Sequence, residues 1–317
     1  MAIPSNTFDT YAAIGIREDL SDMIANISPT QTPFITSCKK GTCSNRLTEW
    51  QTDALASTDT ANAVIEGDDA TLDAVTPTVR LNNYTQISDK TAVISGTEES
   101  VKKAGRAREM AYQIAKKTKE LKRDMEAIAL MNQAKAAGTT GATARKLGSV
   151  LSWIGTNDDF GAGAGASPVG ADGSATRTDG TQRAFTESQL KTVLQGCYTE
   201  GGDPTVIMCG AFNKQVASTF TGGATKFDKS EDSTLYAAFD VYKSDFGTLK
   251  IVPNRFMRTR DCLVLDMDYW ELAYLRAPRT WPLAKTGDTE KNQILVEWTI
   301  KSLQEKASGG VFDLTTS

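Results

Sequence analysis

Two acidic groupings, a cysteine pair and a glycine run are the stretches whose residue types and spacing could support chemistry. "EGDDATLD" gathers Glu66, Asp68, Asp69 and Asp73, and "DMDYWE" places Asp266, Asp268 and Glu271 beside Tyr269 and Trp270. Paired carboxylates can hold a hard cation or share a proton, but the ligand spacing of a calcium loop is absent from the first. They read as a solvated acidic tip and as outward acids on a strand and turn. "CKKGTC", from Cys38 to Cys43, lacks the second pair that a zinc site requires. "GAGAGASPVG" lacks the Lys-Ser/Thr ending of a phosphate loop and the strand and helix that would flank it. The chain has no histidine. That excludes Ser-His-Asp and Cys-His catalysis and the usual neutral-pH base. Carboxylate, Lys or Tyr chemistry remains open, so the discriminating enzyme alternative is a carboxylate- or metal-dependent hydrolase using Asp68 and Asp69 or Asp266 and Asp268. The main reading is not an enzyme, with no catalytic residue, metal or cofactor.

The bulk properties agree with a large non-membrane protein. The 317 residues are 40% hydrophobic and 23% charged, with a net charge of −4. An acidic chain is a poor dedicated nucleic-acid binder. No apolar run of about 18 residues exists, and no secretory signal opens the chain. Five cysteines in this setting read as reduced thiols, with Cys197, Cys209 and Cys262 in apolar stretches.

The elements that would position these residues are uneven. Residues 1–44 form an N-terminal arm. Within "REDLSDMIANISPTQTPF", Leu20, Met23, Ile24 and Ile27 fall on one helical face. Pro29 stops that helix, and Thr32-Pro33-Phe34 leaves an aromatic ring on an extended chain. Residues 45–95 read as two strands around a long polar tip, an extended hairpin that buries little of itself. Residues 97–137 read as one helix, in which Val101, Met110, Ile114, Leu121, Met125 and Ile128 keep helical spacing and Gly138 ends it. About 40 residues at roughly 1.5 Å each predict a strut of about 60 Å. "GTNDDFGAGAGASPVGADGSATRTDG" reads as a loop with nothing to form a core. Thr186 and Gln189 form a capping box before a further helix ended by Gly201-Gly202. Phe212, Val216 and Phe220 mark another helix, and the remaining chain is mostly strand. In "QILVEWTIKSL", Ile294, Val296, Trp298 and Ile300 alternate against Glu297, Thr299 and Lys301.

An arm, a hairpin and a strut with little core of their own make sense when neighbouring copies cover them. The chain resembles the major capsid proteins of tailed bacteriophages with the Hong Kong 97 fold. "REDLSDMIANISPTQTPF" resembles their arm signature, "EWQTDAL", "IEGDDAT" and "KKTKELKRDMEAIAL" add to it, and the order of elements matches from about residue 5 to the C-terminus. The resemblance implies an α+β fold: N-arm 1–44, extended loop 45–95, a peripheral domain with the spine helix over 96–150, an axial domain over 151–280, and C-terminal strands 281–317 returning to both. It also implies hexamers and pentamers in an icosahedral head around double-stranded DNA, with synthesis in a bacterial cytoplasm. An encapsulin-like bacterial shell is the alternative within the fold. The expected partners are further copies, a portal protein, a separate scaffold or decoration protein, and weak non-specific contact with packaged DNA.

Charge then suggests how copies meet. Residues 53–73 carry Asp53, Asp59, Glu66, Asp68, Asp69 and Asp73 with no Lys or Arg. Nine Lys and Arg residues between 101 and 123, among them Lys116, Lys117 and Lys119, face only Glu109 and Glu120. The expectation is that the acidic tip docks near the basic helix of the next copy. Leu20, Met23, Ile24, Ile27 and Phe34 are expected to be buried partly by neighbours, so that deletion of residues 1–36 leaves a foldable subunit. Between 50 and 95 the only lysine is Lys90. The tip therefore lacks the lysine needed for the covalent cross-linking known in the fold's type member.

Overall fold

The computed structural model describes residues 27–70, 72–105, 107–220 and 241–317. Helix α1 (Pro33–Ser37) and strand β1 (Lys39–Thr42) lead into the ribbon of β2 (Leu47–Thr52) and β3 (Val79–Tyr84), which pair antiparallel. Strand β4 (Gln86–Ser95), short α2 (Gly96–Ser100) and α3 (Glu109–Leu130) follow. The second half holds β5 (Asn157–Asp159), α4 (Glu187–Thr199), β6 (Val206–Cys209), α5 (Ala211–Ala217), β7 (Val241–Ser244) and β8 (Gly247–Pro253). The chain ends with β9 (Cys262–Leu265), β10 (Trp270–Pro282), β11 (Thr289–Ser302) and β12 (Gly309–Val311). A four-stranded sheet has the order β1-β10-β11-β4, and a six-stranded sheet the order β5-β12-β9-β6-β8-β7. Strand β10 lies between β1 and β11 in the four-stranded sheet, pairing with β11 from Trp270 opposite Ser302 to Pro282 opposite Asn292.

Helix α3 crosses one face of the four-stranded sheet. Leu121, Met125, Ala129 and Leu130 are buried from it, as the spacing requires. They share a core with Phe34, Trp153, Trp270, Trp298 and Ile300. The helix is shorter than the sequence suggests: 22 residues, or about 33 Å rather than roughly 60 Å. The run is interrupted between α2 and α3 and stops at Leu130. Gly105, with φ +73°, lies in the interruption, and Val101 is exposed. At the other end Met131 is already extended. Gly138, with φ +70°, serves the tight turn in which Ala136 bridges Lys146. Glu99 caps the true start, its Oε2 accepting from the backbone N–H of Glu109 and Met110 at 3.1 and 3.2 Å.

The second core lies under the six-stranded sheet, where Leu190, Val193, Ile207, Leu249, Val264 and Val311 meet. The capping box is present: Thr186 and Gln189 bond each other's backbone N–H, and Gly201 with φ +87° follows the helix end. In β11 the apolar alternation holds, but its other face is covered as well. Glu297 is buried, bonded to Thr85 at 2.9 Å, Arg276 at 2.8 Å and Arg145. The Gly/Ala/Ser-rich loop, which by composition lacks core-forming residues, is held by packing. Ala166 bridges Thr178, and the Arg177 guanidinium lies 3.5 Å from the Phe312 ring centroid and 2.6 Å from Asp158.

Candidate functional site

The extended tip lies between β2 and β3. From 53 to 78 every described residue is exposed and none is in a strand. The base is firmly held. Trp50 donates its indole N–H to Ser302 O at 2.8 Å and packs 5.4 Å from Trp153. Buried Asn83 donates to Ile300 O at 2.8 Å and accepts from Gly148 N at 2.8 Å. Beyond this base the tip has only local turns, such as Asp68 N to Ile65 O at 3.1 Å around Gly67. The sequence reading treats the tip as acidic and solvated, and Glu66, Asp68 and Asp69 are indeed exposed. It overlooks the apolar side chains there. Leu55, Leu72 and Val75 are 99%, 95% and 94% exposed, with Val64 and Ile65 close behind. Large apolar groups scattered singly on a surface are ordinary, but five on one segment without a core of its own are an unusual concentration.

The arm ends differently from the extended chain its prolines suggest. Thr32-Pro33-Phe34 is not extended: Pro33 starts α1, where its missing N–H costs nothing. Phe34 is fully buried within its own chain, 6.1 Å edge-on to Trp270, and needs no neighbour to cover it. Buried Glu126 of α3 completes the anchor. Its two oxygens accept from Phe34 N and Ile35 N at 2.8 Å each, and Asn254 adds a third bond at 2.7 Å. Burial pushes the Glu126 carboxyl above its usual range, and these bonds oppose the shift. The signal is readable in the sequence, since Glu126 adjoins Met125 within the buried stripe of α3. Ile27 is fully exposed, while Leu20, Met23 and Ile24 lie outside the described residues.

The basic stretch divides into two parts. Lys102, Lys103 and Arg108 precede α3, and Arg106 is outside the described residues. On α3, Lys116 and Lys119 are exposed and Lys117 pairs with Glu120 at 2.8 Å. Among the described residues no ion pair joins the acidic tip to this helix. Lys90 is held by Asp124 at 2.7 Å, and that bond raises its pKa.

Among the described residues no group of three or more Cys, Asp or Glu could hold a metal ion, and the acids of the second grouping have separate partners. Asp266 accepts from the backbone N–H of Asp268 at 3.1 Å, Asp268 pairs with Lys39 at 3.0 Å, and Glu271 with Lys301 at 2.6 Å. Each acid is used singly, to hold structure. A larger charged cluster, missed from sequence, joins the loop before β9 to the C-terminus. Arg260 bonds Asp313 at 2.6 Å and Arg258 bonds Asp179 at 2.6 Å. Asp261, only 1% exposed, has no hydrogen bond to either carboxylate oxygen, and Arg258 Nε stands 3.4 Å away. Burial, with Asp179 opposing the nearby arginines, pushes its pKa up to about 7.

A family model described as SU10 major capsid protein matches residues 3–315. The major capsid protein of Escherichia phage Phieco32 is 28% identical, with 98% of each chain covered. The capsid asymmetric unit of cyanophage A-1(L) superimposes with a TM-score of 0.64 at 12% identity, covering 97% of this chain and 98% of that one. A structure from Gordonia phage Cozz gives 0.61 at 12% identity over 99% and 98%.

Proposed function

The chain belongs to the SU10 major capsid protein family, and on that premise we propose that its uncovered tip is the surface by which one copy grips the next. The protein has the Hong Kong 97 fold and is a major capsid protein that builds an icosahedral phage head. In the proposed assembly, copies form hexamers and pentamers around double-stranded DNA. A portal protein and a scaffold or decoration protein are the further chains, DNA contact is weak and non-specific, and the subunit is made in the host cytoplasm.

The carrying observation is the 53–78 segment, exposed at every described residue, apolar at five positions and acidic between them. Fully burying one such side chain contributes about 1.5–3 kcal/mol. An exposed ion pair contributes about 0.2–1 kcal/mol. Leu55, Val64, Ile65, Leu72 and Val75 therefore supply most of the attraction. Glu66, Asp68 and Asp69 set register against Lys116, Lys117 and Lys119 of the neighbouring α3, where a wrong approach juxtaposes like charges. On the arm, Ile27 is covered by another copy, together with Leu20, Met23 and Ile24.

The test is charge reversal. Glu66→Lys, Asp68→Lys and Asp69→Lys together impair capsomer closure by light scattering and leave the subunit's circular dichroism unchanged. Reversing Lys116, Lys117 and Lys119 to Glu restores assembly. Normal assembly of the triple lysine variant at low salt, where charge is least screened, contradicts the charge pairing.

A further inference from the structure

We propose that Cys209 and Cys262 are an oxidative cross-linking site that closes a disulfide across the two middle strands of the six-stranded sheet. Strands β6 and β9 pair antiparallel with Cys209 directly opposite Cys262, so the two buried side chains stand side by side on one face of the sheet. Directly opposed residues in such a pair have Cα atoms about 4.5–5.5 Å apart. A disulfide accepts roughly 4.4–6.8 Å, so the register of the two strands falls within the span such a bond needs.

Thiol acidity singles out the same pair. Burial pushes Cys38 and Cys197 up to about 12 and also raises Cys43. Cys209 alone is pushed down, by the adjoining Cys262, against burial and with help from Lys214, while Cys262 is pushed up. It is the attacking thiol. Both sulfurs are buried, which alone would describe two inert core residues. Their position alters that, because β6 ends at Cys209 and β9 begins at Cys262. Access requires fraying of two strand ends, not opening of the whole sheet.

The oxidant is a low-molecular-weight disulfide. The Cys209 thiolate attacks one of its sulfurs and releases one small thiol. Cys262 gives up its proton and attacks the Cys209 sulfur of the mixed disulfide, releasing the second. Two protein thiols become one disulfide, and the small disulfide is reduced to two thiols. The new bond closes the chain from 210 to 261 into a loop and restricts the unfolded state. The occasion for it rests on the capsid reading: a head assembled in a reducing cytoplasm meets oxidising surroundings on release.

Purified particles are incubated with oxidised glutathione, quenched in acid, unfolded and labelled with a maleimide. The expected count falls from five labelled cysteines to three, a peptide pair joined through Cys209 and Cys262 appears, and the melting temperature rises. Cys43→Ser gives the same link, and Cys209→Ser abolishes both the link and the rise in melting temperature. Five labels retained, stable glutathione adducts without the link, or loss confined to Cys43 overturns the proposal. The wild-type count needs no folded variant, and it reads equally on unassembled chains. Failure of assembly and failure of the cross-link are therefore separate results.

Discussion

Asp261 illustrates what a single buried side chain does to this protein. Its carboxyl titrates near pH 7 because it is desolvated, while in the unfolded chain it titrates in the ordinary acidic range. The folded state therefore holds a proton that the unfolded state releases. Its contribution is fully present below the unfolded pKa and is lost as pH rises to about 7. Asp261→Asn should flatten that slope and raise subunit stability at pH 8 by about 1 kcal/mol; urea titrations at pH 5 and 8 read both. An unchanged slope would place the titrating group elsewhere. A second expectation concerns Lys90, the lysine nearest the tip, which is tied to Asp124 of its own chain. Particles boiled in detergent and reductant should run as monomer, and a covalent ladder of higher bands would show a lysine cross-link despite that pairing.

At the scale of elements, the legible parts are those with a local cause. The capping box at Thr186, the apolar stripe of α3 and the alternation in β11 rest on neighbouring residues, and the structure keeps all three. The ends of α3 are not legible. Helical spacing continues through Val101 and Ala104, yet the backbone turns extended at Val101 and Arg108, with Gly105 at positive φ between them. Thr32-Pro33-Phe34 misleads for a related reason, since a proline both stops one helix and starts the next. What selects between them is Glu126, 92 residues away, which binds the first N–H groups of α1. The anchor also shifts where the arm can be cut. Deletion of residues 1–31 should leave a folded subunit that assembles poorly. Deletion of 1–36 removes Phe34 and Ile35 from the core, where losing one large apolar side chain costs about 2–5 kcal/mol, so the subunit itself is destabilised. Equal thermal stability of the two truncations would contradict the anchor.

Among the described residues the molecule is a four-stranded and a six-stranded sheet with their cores, a two-stranded ribbon and an exposed tip that its own copy leaves uncovered. Family membership follows from the match across residues 3–315, and the order of elements is readable because each projection has its own composition. The apolar content of the tip escapes a reading by pattern, since Leu55, Val64, Ile65, Leu72 and Val75 are too sparse among polar residues to mark an element. Their role is visible only as exposure in a folded subunit. Hydrogen exchange, compared between assembled particles and dissociated subunits, tests most directly whether neighbours cover them. The account predicts strong slowing over residues 53–78 on assembly, with the cores around Trp153 and around Val264 little changed. Equally rapid exchange of 53–78 in both states would contradict it.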